Sequence, residues 1–83
     1  MSGVDAETLL GLHEGDVIES PSLMPGLDSG ETIVWQVLES VWVPDKRESK
    51  ANRITLHAYW HDVFLFPAVV MIDDEKKQHW RLG

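Results

Sequence analysis

Residues 57–62 read His57-Ala58-Tyr59-Trp60-His61-Asp62. Two imidazoles four positions apart beside a carboxylate have the composition of a metal site or an acid–base pair. On a helix they would share one face, as the histidines of an HExxH zinc motif do. The surrounding residues argue for a strand instead. From Arg53 to Trp60, Ile54, Leu56, Ala58 and Trp60 alternate with Arg53, Thr55, His57 and Tyr59, a period of two. Four residues of strand separate Cα atoms by ~13 Å, too far for both rings to reach one ion through bonds of ~2.1 Å. The expectation is a surface His57 beside Tyr59, a turn shaped by His61-Asp62, and neither metal nor cofactor.

Other catalytic arrangements are equally hard to assemble. The six serines include no G-x-S-x-G elbow, and the sequence contains no G-x-G-x-x-G and no P-loop. Gly11 and Gly15 flank His13 but precede no long helix that could hold phosphate. Asp73 and Asp74 form a carboxylate pair, yet they sit in the lysine-bearing run "DDEKK", which has the composition of a solvated turn. With no cysteine there is no thiolate nucleophile, thiolate metal site or disulfide. No enzyme activity is expected.

The elements that would carry these residues read as follows. Asp5 caps a short helix through Leu10 that Gly11 stops. "DVIES", Asp16 to Ser20, is a first strand, and Pro21 to Gly30 is a loop carrying three apolar side chains, Leu23, Met24 and Leu27. Thr32 to Val43 is a long β-branched strand whose odd positions, Ile33, Trp35, Val37, Val41 and Val43, share a face that Glu39 interrupts, so a bulge or bend is expected near Glu39-Ser40. After a polar loop and the alternating strand, Val63 to Ile72 is a continuous apolar run suited to a strand covered on both faces, with Pro67 at a bulge or an unpaired edge. Gln78 to Leu82 is the last strand. A single domain over residues 1–83 follows, mainly β: a small five-stranded antiparallel sheet, or an SH3-like or OB-like barrel, with a short N-terminal helix.

Charge is distributed unevenly along the chain. Up to Asp45 there are nine acids and no Lys or Arg; all seven Lys and Arg follow, against five acids, for a net charge of −7. Direct nucleic-acid binding needs clustered positive charge, so a basic protein surface is the better partner. The N-terminus carries acids where an export signal would carry cations, and the ten-residue apolar run is far short of the ~20 that a spanning helix needs. A cytoplasmic protein with no membrane partner is expected.

Together these features anticipate an acidic protein-binding module. Its contact residues would be the acids Asp5, Glu7, Glu14, Asp16, Glu19, Asp28 and Glu31, the apolar Leu23, Met24 and Leu27, and an aromatic platform of Trp42 with Tyr59. The alternative is a DNA-mimic inhibitor of the phage anti-restriction or anti-CRISPR kind, whose carboxylates occupy the phosphate channel of a nucleic-acid enzyme. That reading requires the acids to share one surface.

Overall fold

The computed structural model describes residues 4–20 and 32–82. The order of elements is α1 (Ala6–Leu10), β1 (Val17–Ser20), β2 (Ile33–Pro44), β3 (Lys50–Trp60), β4 (Val63–Ile72) and β5 (Gln78–Leu82). The five strands form one antiparallel sheet in sequence order, β1-β2-β3-β4-β5. The expected mainly β fold with a short N-terminal helix is therefore observed. The barrel alternative is not: β1 and β5 lie at opposite edges without pairing, because strands of four and five residues cover only part of their neighbours and cannot close the ring.

Helix α1 is short but well delimited. The Asp5 side chain accepts the Thr8 N–H at 2.9 Å, and the Gly11 N–H bonds back to the Thr8 carbonyl at 3.2 Å. A helix of this length is not stable alone, so its place is fixed by packing. Ala6 and Leu9 bury against Trp35, Ile54, Leu56, Val70 and Ile72 on one face of the sheet. Val4, Leu10 and Leu12 extend that cover. Full burial of side chains such as Ile54, Leu56 and Leu9 contributes ~1.5 to 3 kcal/mol each, so this face holds most of the fold's stability. Trp35, wholly buried, meets Phe66 and Trp80 edge to face at 5.7 and 6.1 Å between ring centres.

Two irregularities set which side chains face this core. In β2 the register steps between Val37 and Glu39, so Val37 pairs with Leu56 and Glu39 with Thr55, leaving Leu38 as the extra residue. Side chains of paired residues point the same way, so the core face of β2 runs Ile33, Trp35, Val37 and then Ser40 and Trp42. The expected inward valines Val41 and Val43 lie on the other face, opposite Arg53 and Ala51. In β4 a second step places Phe64 opposite Tyr59 and Phe66 opposite Ala58, with Leu65 extra.

The expectation of a β4 covered on both faces fails for its first half. Ala68, Val70 and Ile72 are buried, whereas Val63, Phe64 and Leu65 are 57%, 47% and 41% exposed. The cause is topological: β5 pairs only from Ala68 to Ile72. Pro67, which cannot donate to a ladder, sits just outside that paired stretch. No helix among the described residues is long and apolar enough to cross a membrane.

Candidate functional site

Alternation along β3 puts His57 and Tyr59 on the face of the sheet away from α1, and the turn to β4 brings Phe64 beside them. His57 lies 4.8 Å from Phe64 and 6.4 Å from Tyr59 between ring centres, and Tyr59 meets Phe64 edge to face at 5.7 Å. The adjacent strands add Val34 opposite Tyr59, and Glu19 opposite Val34. Val17, Val34, Gln36, Tyr59 and Asp62 line an open depression of about 250 Å³ here. Val17 is 59% exposed and Val34 and Tyr59 are partly so, and among the described residues no element packs over them.

The two-residue turn His61-Asp62 explains the fate of the HAYWHD motif. Both residues have positive φ, 49° and 65°, the backbone of a type I′ hairpin turn between the paired Trp60 and Val63. His61 packs on the neighbouring Trp60, with ring centres 4.4 Å apart, while His57 packs on Phe64. The two imidazoles thus engage different aromatic rings. Among the described residues, no group of three or more His, Asp and Glu side chains converges as metal ligands.

The pairing also sorts charge by end of the sheet. Ser20 with Ile33, Val34 with Tyr59, and Trp60 with Val63 mark one end; the β2–β3 and β4–β5 turns mark the other. Lys46, Arg47, Lys50, Lys76 and Lys77 all belong to the second end. Over Val17–Ser20, Ile33–Gln36 and His57–Phe66 there is no Lys or Arg, and the carboxylates are Glu19 and Asp62.

The remaining candidates separate. Asp5 caps α1 and Glu7 lies in its first turn, on the core side of the sheet, and Glu7 forms an ion pair with Lys76. Asp16 accepts the His13 backbone N–H at 2.8 Å in the segment between α1 and β1, which also holds Glu14. Glu19 is on the opposite face from α1. These five acids do not form one row. Trp42, 61% exposed, and Tyr59 are on opposite faces and at opposite ends, so the expected platform of these two rings does not form. The bulge at Leu38 is the reason. Leu23, Met24, Leu27, Asp28 and Glu31 lie outside the described residues; the strands they connect are paired at Ser20 and Ile33.

A larger basin, about 380 Å³, opens at the far end of the same face between Ala51, Met71, Asp73 and His79. Its carboxylate is already committed. Asp73 Oδ1 accepts the backbone N–H groups of Glu75 and Lys77, each at 2.9 Å, and Oδ2 lies 3.0 Å from His79 Nε2. The His79 hydrogen bond, followed by the Lys77 N–H, holds the Asp73 carboxyl down at about 2. It stays ionised as the organiser of the β4–β5 turn, an Asx arrangement rather than a reactive acid. The expected solvated turn holds for Asp74 but not for Asp73, which is buried, and nothing in the run "DDEKK" distinguishes the two.

The sequence matches no protein-family model, and comparison with curated proteins and with solved structures finds no match.

Proposed function

We propose that the chain is a non-enzymatic protein-binding module that engages a basic surface of a partner through the uncovered face around Val17, Val34, Tyr59 and Phe64. One observation carries the proposal: a half-exposed aromatic and aliphatic patch that has no Lys or Arg and is bordered by Glu19 and Asp62. Apolar anchors give affinity, and a one-signed border selects a partner of opposite charge. Leu23, Met24 and Leu27, with Asp28 and Glu31, are kept as candidate contacts on their composition, in the sequence between Ser20 and Ile33. The scattered described acids, two of them paired with cations from the second half of the chain, favour this reading over DNA mimicry.

The test compares affinity capture by the wild-type chain with capture by Phe64→Ser, by Leu23→Ala with Leu27→Ala, and by Trp42→Ser. The expected result is a partner that elutes as salt rises, is lost with Phe64→Ser, weakens with the double alanine variant and is retained with Trp42→Ser. Equal retention by Phe64→Ser and wild type, with both folded, overturns the assignment of the surface.

A further inference from the structure

The partner's mode of attachment can be read from an edge of the sheet. Strand β4 has ten residues, and β5 pairs with only Ala68 to Ile72. Along Val63 to Pro67, the side of β4 away from β3 has no strand beside it among the described residues. An open ladder of this kind offers its N–H and C=O groups to any extended chain. Edges are ordinarily guarded by charge, and β5 has Arg81 and His79 along its length. Val63-Phe64-Leu65-Phe66 carries no charged guard, only the bulge at Leu65 and Pro67 at its end, and Arg53 and Lys76 are the nearest Lys or Arg in the sequence on either side.

Resting on the protein-binding reading above, we infer that Val63–Phe66 is a strand-addition site, and that the partner contributes an extended β segment flanked by Lys or Arg. The added strand continues the outer face. A residue beside Phe64 would meet the cluster of Phe64, His57 and Tyr59, and one beside Phe66 would approach the side of the sheet where Phe66 packs on Trp35. Backbone bonds supply register-dependent affinity, and alternate side chains supply selectivity. Charge decides between the two obvious occupants. A second copy would bring −7 against −7 and add no cation near either Asp62, whereas a basic strand brings cations to Asp62, the residue that precedes the open stretch of β4. Pro67 limits the site, since beyond it β4 is occupied by β5.

The probe is a fluorescein-labelled peptide, Lys-Lys-Thr-Val-Thr-Val-Thr-Lys-Lys, titrated into the full chain by polarisation while amide hydrogen exchange is followed. Two controls replace the flanking lysines by glutamate or the valines by proline. The expected result is binding of the basic strand peptide alone, with exchange at Val63–Phe66 slowed about tenfold and exchange elsewhere little changed. Leu65→Lys, a guard charge at an exposed position, should weaken binding about tenfold without lowering the melting temperature. Equal binding of the proline peptide overturns the inference, as does protection confined to other strands. Protection of Val63–Phe66 that rises with protein concentration in the absence of peptide overturns it in favour of a second copy. Should the strand peptide fail while Phe64→Ser still abolishes partner capture, strand addition falls and the protein-binding surface stands; failure of both removes both.

Discussion

Deleting Leu38 is the sharpest test of how β2 is built. In the structure Leu38 is the extra residue of a bulge, and the pairs on either side, Val37 with Leu56 and Glu39 with Thr55, are already consecutive partners. Removing it leaves every cross-strand pair in register and costs the half-burial of one leucine, about 1 kcal/mol. For a domain of this size that is a fall of ~4 to 8 °C in Tm. In a straight β2 with Val41 and Val43 facing the core, the same deletion would turn both valines outward, a loss of ~3 to 6 kcal/mol that a small domain can hardly survive. Urea titration followed by tryptophan fluorescence and far-UV circular dichroism separates the two outcomes. Cross-strand NOEs between Val41 and Arg53 and between Trp42 and Asn52 should persist in the deletion variant. A loss above ~3 kcal/mol, or disappearance of those NOEs from a folded protein, refutes the bulge.

Three further outcomes are expected. Replacing His61-Asp62 by Asn-Gly puts at the two positions of positive φ an Asn, which tolerates that region, and a Gly, which adopts it freely, and should stabilise the hairpin by about 1 kcal/mol, read as a rise in Tm with unchanged chemical shifts away from the turn. Leu9→Ala, at the one wholly buried position of α1, should cost ~2 to 5 kcal/mol by urea titration; a smaller loss would mean that α1 is not a working part of the core. Asp73 is held below its usual value, so its ionised form stabilises the fold fully above about pH 4, and this contribution declines as pH falls through about 2. Asp73→Asn keeps an acceptor for the Glu75 and Lys77 amides but cannot titrate, and its Tm should fall less steeply than wild type between pH 4 and 2; parallel curves would assign the acid sensitivity elsewhere.

The sequence was most legible where one face meets solvent and the other meets core. The alternation from Arg53 to Trp60 reports β3 directly, because a pleated strand turns polarity into a period of two. The cap at Asp5 and the stop at Gly11 are equally readable, since each reflects a local hydrogen bond. The phase of β2 was not. A bulge or bend was expected near Glu39-Ser40, and the step falls one residue earlier, at a leucine that no glycine or proline distinguishes. That single residue moved Trp42 to the face of Trp35 and split it from Tyr59. The apolar run of β4 misled for a different reason. Composition reports what a residue prefers, whereas exposure at Val63 to Leu65 depends on how far β5 extends beside it. The aromatic trio was partly visible as His57 beside Tyr59, but Phe64 joins only through the tight turn that folds β4 back.

The simple meander order also shapes how the molecule assembles. Each strand pairs with its neighbour in sequence, so hairpins can zip successively from their turns with modest loss of chain entropy. Among the described residues a distant closure is made by the N-terminal segment, where the Gln78 amide donates to the Val4 carbonyl at 2.8 Å and Lys76 meets Glu7. Since α1 cannot persist unaided, it settles only onto a sheet whose last strand is already in place. Docking of the N-terminus should therefore come last in refolding, with the central hairpins formed beforehand.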